Sequence, residues 1–368
     1  MAATIAQIPA ARRIQRIYLI LLLGNTLAAS FIWGVNTLFL LDAGLSNLEA
    51  FAANAFFTLG MVIFEIPTGV VADTVGRRAS YLLGTLVLAG ATGLYWLMWL
   101  WHSPFWAWAL VSMLLGLGFT FFSGAVDAWL VDALRASEYQ GDLEPVFSKG
   151  MIVGGIAMLA GSVLGGIVAQ LTDLGVPFLL RAGILLLMLV VAFFAMRDIG
   201  FTPDRSEGPL KAVRTVMKGS ITHGLGNRPV RYLMFAAPFT AGVGIYVFYA
   251  LQPYLLELWG DPKAYSIAGL AAAIVAGSQI IGGLLAPRVR RLFKKRTTVL
   301  SFESLMGNVG GIGIQPALGR VADLGGYAFS LVIGGVISAV AVPFIALSRA
   351  QKAPADVAAR EEDSDPTP

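Results

Sequence analysis

The chain has 368 residues, of which 57% are hydrophobic and only 13% charged, with a mean hydropathy of +0.74. A water-soluble fold cannot bury that much apolar surface, so a polytopic membrane protein is expected. With no cysteine and two histidines far apart in the chain, disulfides, thiolate metal sites and histidine metal pairs are excluded, and no metal or cofactor is expected.

A helix needs about 20 apolar residues to cross a bilayer. On that measure ten crossings are predicted, over 17–41, 50–72, 79–101, 104–133, 147–171, 176–196, 230–256, 264–287, 298–319 and 327–348. Runs such as Ile184 to Met196 do not alternate apolar with polar residues, which excludes a β-barrel. The fold class is therefore an all-α polytopic bundle. Its organisation is predicted as a six-helix bundle over 1–200, a linker over 201–229, a four-helix half over 230–348 and a disordered tail over 349–368. Of the 26 Lys and Arg residues, 23 fall on one side of this topology, leaving Arg181, Lys263 and Arg320 on the other. The positive-inside rule then puts both termini in the cytoplasm. A net charge of +4 arises from this loop bias and gives no reason to invoke nucleic acid.

Polar and aromatic side chains at membrane depth are candidates for the wall of a substrate cavity. They are Asn25, Trp33 and Asn36 on the first crossing, Tyr246, Tyr249 and Gln252 on the seventh, Gln279 on the eighth, and Asn308 and Gln315 on the ninth. Asn25 and Asn36 are eleven residues apart, about three turns, so they are expected to share a face. A wall of aromatics and amides suits a small amphipathic solute. Two carboxylates stand inside crossings, where an ionisable group costs at least about 2.5 kcal/mol and normally faces a cavity or partner. Glu65 lies just before Pro67, and Asp127 lies among small residues in Ser123-Gly124-Ala-Val-Asp127; both are candidates for proton coupling. Arg181, near the start of the sixth crossing, is expected to snorkel outward.

Between the second and third crossings runs Gly69-Val-Val-Ala-Asp73-Thr-Val-Gly76-Arg77-Arg78, preceded by Phe64-Glu65-Ile66-Pro67-Thr68. This string resembles the loop after the second helix of the major facilitator superfamily, in its drug-efflux-like and tetracycline-resistance-like branches. The resemblance implies a secondary transporter of a bacterial inner membrane, exchanging protons for small compounds by alternating access. It also implies a conformational latch built from Gly69, Asp73, Gly76, Arg77, Arg78 and Asp132, with Asp73 facing the start of the family's eleventh helix near Thr297 to Ser301. On the fifth crossing Ala157-x-x-x-Gly161-Ser162-x-x-Gly165-Gly166 is similar to the family's antiporter signature, though Ala157 and Ser162 replace its glycine and proline. Members typically have six and six helices, whereas this chain has six and four. The stretch from Thr298 through Gln315-Pro316 to Asp323 resembles the eleventh helix and follows the eighth directly, so the ninth and tenth are missing on this reading. Their absence leaves a gap open to lipid or to a second subunit. It also raises a rival expectation, a shortened or regulatory membrane protein that no longer transports.

Overall fold

The computed structural model describes residues 2–122, 124–203, 228–292 and 300–350. Most of the expected linker, the tail beyond 350 and the stretch 293–299 lie outside the described residues, as do the side chains of Gln279 and Ser301. The described residues form helices and no strand: α1 Ala2–Trp33, α2 Asn36–Asp42, α3 Asn47–Thr74, α4 Arg77–Trp101, α5 Phe105–Phe122, α6 Ala125–Ala136, α7 Glu144–Leu171, α8 Val176–Ala195, α9 Arg228–Trp259, α10 Tyr265–Leu292, α11 Leu300–Ala339 and α12 Ala341–Ala350.

Eight of the described helical stretches are long and apolar enough to cross a membrane. One of them, Gly307–Ser348, runs for 42 residues, about 63 Å of helix and twice a bilayer. It reverses at Gly326, where φ is 79°. Before that residue Gly310 packs on Pro238 of α9, and after it Ser330 and Ser338 meet Tyr246 and Phe239, in the opposite order along α9. The apolar stretch Tyr265–Ser278 opens α10. The described residues thus hold eight to ten apolar helices, depending on whether that stretch and each arm of the reversed helix are counted, and the protein is an all-α polytopic membrane protein.

Helix ends follow local chemistry. Ser46 and Glu49 form a reciprocal capping box that starts α3, satisfying two amides that have no partner within the helix. Asp173 accepts from the amides of Gly175 and Val176 at 2.8 and 3.0 Å, and Pro177 sits in the first turn of α8, where its missing N–H costs nothing. The first and fourth crossings are both interrupted. α1 gives way to α2 at Gly34 and Val35, and α5 to α6 at Gly124, whose φ of 74° suits glycine.

At one end of the bundle Phe39 lies under Phe178 with ring centroids 3.9 Å apart, flanked by Tyr95, Trp99 and Trp108. Such pairs add about 0.5–1.5 kcal/mol each beyond the area they bury, and they tie α2, α4, α5 and α8 together. The last four crossings meet the first six along two seams, α3 on α11 and α7 on α10. The second seam is closed by bare backbone. A Cβ added to Gly34 would stand 2.6 Å from the Cα of Gly269, and one added to Gly269 would stand 2.5 Å from the carbonyl of Ser162 and 3.0 Å from the Cα of Gly166.

Candidate functional site

At the end of the bundle where α3 turns into α4, Asp73 and Arg77 pair across the turn, Oδ1 to Nη1 at 2.6 Å. Asp132, from the last turns of α6, approaches Arg77 Nε at 3.6 Å. The carboxylates are 54% and 30% exposed, so these pairs contribute at most about 1 kcal/mol each. Arg78 is held more firmly. Its Nη2 donates to the carbonyl of Phe193 at 2.7 Å, its guanidinium lies over the Phe193 ring at 5.1 Å, and its amide donates to Asp198 Oδ1 at 2.9 Å. Gly76 makes the turn with φ 134°, and Gly69 lies open one turn before Asp73. The described part of this cluster joins α3, α4, α6 and the end of α8. The partner expected near Thr297 to Ser301 falls outside the described residues.

Gly76 therefore carries two demands at once. A Cβ there would stand 2.5 Å from Asp198 Oδ2, and its backbone lies in a region that costs other residues about 1–3 kcal/mol. Gly76→Ala should lower the unfolding free energy by about 3 kcal/mol, combining that strain with the disturbed bond from Asp198 to the Arg78 amide. Gly69→Ala, facing open space in a helix, should match or exceed the parent by about 0.5 kcal/mol. Thermal unfolding of both variants in lipid nanodiscs checks the pair, and equal losses would contradict it.

Deeper on the same side, Tyr18 of α1 donates its hydroxyl to Asp127 Oδ1 at 3.0 Å. Asp127 stands in the first turn of α6, just after the break at Gly124, where free amides and the positive helix end favour a carboxylate. Both groups line a cavity of about 500 Å³ with Thr26, Phe147, Met151 and, from α10, Ile280. The cavity thus lies between the first six crossings and the last four. Glu65 is exposed on α3, and its carboxylate forms neither a hydrogen bond nor an ion pair among the described residues.

The opposite end is closed by side chains reaching across both seams. Asp323, at the end of the α11 segment before Gly326, accepts from the amides of Asn47 and Leu48 at 3.0 Å each, capping α3 from the other half. Tyr327 donates to Asn47 Oδ1. On the second seam Gln170, in the last turn of α7, accepts from the amide of Ser266 in α10 at 3.0 Å. Between them Gln252 accepts from the Thr37 amide at 2.9 Å and donates to the Trp33 carbonyl at 2.7 Å. Gln315 reaches Thr58 Oγ1 at 3.4 Å nearer mid-depth.

Several candidate wall residues are engaged elsewhere. Asn25 donates to the Tyr81 hydroxyl and the Leu21 carbonyl, and Asn36 donates to Asn54 Oδ1 at 2.9 Å. They do not share a face, because the helix breaks between them at Gly34 and Val35. Tyr246 is buried against Ser330 at 2.5 Å and Phe51. Trp33, Tyr249 and Asn308 remain partly exposed. Arg181 does not snorkel outward: Phe178, one turn earlier on the same face, is anchored on Phe39, and Arg181 Nε is consequently buried.

Sequence reasoning missed Tyr18, Gln170, Asp198 and the capping role of Asp323. A signal for the last was present: Gly319-Arg320-Val-Ala-Asp323 repeats the pattern Gly69-Val70-Val-Ala-Asp73, Gly-x-Val-Ala-Asp at the end of a crossing. The two strings end at opposite ends of the bundle.

Two helix groups facing each other across polar seams, with a cavity between them, define a helical membrane protein of transporter architecture. The chain belongs to the Major Facilitator Superfamily, whose sequence profile matches residues 18–360. Over 229 residues it is 23% identical to an uncharacterized MFS-type transporter of Methanocaldococcus jannaschii, covering 61% of this chain and 56% of the length of that curated relative. The fold is similar to that of the nucleoside transporter NupG, with a TM-score of 0.64 and 12% identity over 91% of this chain and 98% of that one. It is equally similar to the POT family transporter PepTSo, with a TM-score of 0.64 and 12% identity over 92% and 98%.

Proposed function

We propose that this chain is a secondary active transporter that exports small amphipathic compounds in exchange for protons by alternating access. The observation that carries the reading is the asymmetry of the closure. Bonds across the seams cluster at the end holding Asn47, Ser266 and Asp323, whereas the cavity at Asp127 lies toward the end holding Asp73 and Arg77. One side shut and the other hollowed is what a single state of an alternating-access cycle looks like. In this reading Asp127 takes the proton with Tyr18 as its partner, and Glu65 is the second titratable group on the path. Trp33, Tyr249 and Asn308 face the solute, while Gln252 and Gln315 are remade as the seams part. Gly69, Asp73, Gly76, Arg77, Arg78 and Asp132 form the latch for the alternative state. The protein performs no covalent chemistry.

The same reading assigns the chain to the drug-efflux-like branch, in a bacterial inner membrane with both termini and the latch in the cytoplasm, so that the state described is open inward. The absent ninth and tenth helices would leave a face for lipid or for a second subunit. They also favour the rival reading, a membrane protein that keeps the latch without transporting. A screen of amphipathic compounds in proteoliposomes under an imposed pH gradient separates the two. Proton-driven flux of at least one compound is expected, and its absence across the panel leaves the rival.

Orientation is tested by single cysteines, since the chain has none of its own. Ser46 and Asp261 are exposed at the sealed end and Val75 is 61% exposed at the latch end; Ser80 is fully buried and unsuitable. An impermeant thiol reagent added outside cells should label Ser46→Cys and Asp261→Cys and spare Val75→Cys. The reverse pattern would invert the topology.

A further inference from the structure

Arg181 has no part in the proton path or in either closure. It stands in the second turn of α8, its Nε sealed from solvent and bonded to nothing, and neither ion pair among the described residues involves it. The ionisable groups within Coulombic reach are the hydroxyls of Tyr95 on α4 and Tyr249 on α9. Tyr95 is already paired with Ser112. Carboxylates nearest along the fold are also committed: Asp42 accepts from the Trp99 indole, and Asp173 caps the start of α8. Asp127 is held by Tyr18 toward the other end of the bundle.

A guanidinium is always charged, and burying it in a crossing without a counter-charge is strongly unfavourable. Among the described residues no carboxylate answers it, which leaves room for a partner from outside the chain. Arg181 and Tyr249 belong to different halves, and each is partly exposed. From Tyr249 an aromatic strip continues through Phe248, with ring centroids 5.3 Å apart, to Trp33 at 6.2 Å. We infer that Arg181, with the Tyr249 hydroxyl on the facing half, binds the carboxylate of a small solute whose apolar body lies along Phe248 and Trp33. One guanidinium matches one carboxylate in charge and in its paired donors, whereas a phosphate dianion would leave a buried charge unbalanced. The inference deepens the transport reading and rests on it for the word substrate; the binding site itself does not depend on flux.

The test uses the full chain in nanodiscs of phosphatidylcholine alone, titrated with benzoate and octanoate and with their uncharged counterparts benzyl alcohol and octanol. Tryptophan fluorescence and thermal unfolding report binding. At least one carboxylate should bind saturably and about tenfold more tightly than its alcohol, the scale of one charge-assisted bond. Arg181→Gln should reduce it to the alcohol's level, and Arg181→Lys should fall between, keeping the charge but losing the paired donors. Without any probe Arg181→Gln should unfold at a higher temperature than the parent, because an unpaired charge has gone. Carboxylates that bind no better than alcohols, parent-like binding in Arg181→Gln, or a less stable unliganded variant would each overturn the site. Adding phosphatidylglycerol should leave benzoate affinity unchanged; competition would make the guanidinium a lipid-headgroup contact and overturn the solute assignment. Arg181-dependent binding without proton-driven flux would count against transport and keep the site, and flux of carboxylates indifferent to Arg181 would do the opposite.

Discussion

Proton-driven flux in Asp127→Asn proteoliposomes is expected to fall to the level of protein-free liposomes, while exchange of substrate down its own gradient continues. An amide keeps an oxygen that accepts from Tyr18, so the 3.0 Å bond and the packing of α1 on α6 survive, but an amide cannot carry the transferred proton. Glu65→Gln is the comparison: Glu65 lies outside the cavity lining, so loss of this second group on the path should slow the flux without abolishing it. Parent-like pH-driven flux in Asp127→Asn would remove Asp127 from the coupling step.

The second large effect concerns the sealed end. Asp323→Ala removes both acceptors from the amides of Asn47 and Leu48. Hydrogen bonds to a charged group contribute about 1.5–3 kcal/mol each when sheltered, and the exposure of this carboxylate reduces the pair to about 2 kcal/mol. That is about a thirtyfold shift toward parting of the α3 and α11 seam. Spin labels on Leu171→Cys and Leu324→Cys, both highly exposed at that end, should show a new long-distance population in the variant. Gln170→Ala, which removes one neutral acceptor, should shift the distances less. An unchanged distribution in Asp323→Ala would mean that the closure does not depend on the crossed cap.

Much of the fold was legible because bilayer thickness sets a length that an apolar run either meets or misses. The reversal at Gly326 is an instance: the run is twice too long for one crossing, and the glycine pair Gly325-Gly326 marks where it turns. The grouping of Asp73, Arg77 and Asp132 was legible as well, since two opposite charges four residues apart across a tight turn at a bilayer edge look for a third. What could not be read was direction. Asn25 and Asn36 have a spacing that puts them on one face of an unbroken helix, and only the break at Gly34 and Val35 sends them to Tyr81 and Asn54. Arg181 turns inward because of a ring three residues earlier and the aromatic cluster it joins, an arrangement of distant segments that local spacing does not encode. Asp323 and Gln170 are polar residues at helix ends, common in any sequence, and their partners are backbone amides that carry no residue signature.

The meeting of Gly34, Gly166 and Gly269 bears on speed. Interlocked side chains must climb out of one another before two helices can slide, and each pair of atoms pulled apart on the way raises the barrier by about 0.1–0.2 kcal/mol. Where three backbones touch directly there are no such teeth to disengage, so rocking about this crossing changes angles while separating few atoms. In an alternating-access cycle the crossing would serve as a fulcrum with low friction, placed beside the seam that Gln170 fastens. A single methyl group on Gly269 would meet the Ser162 carbonyl at 2.5 Å and wedge the three backbones apart, disfavouring the state in which they touch.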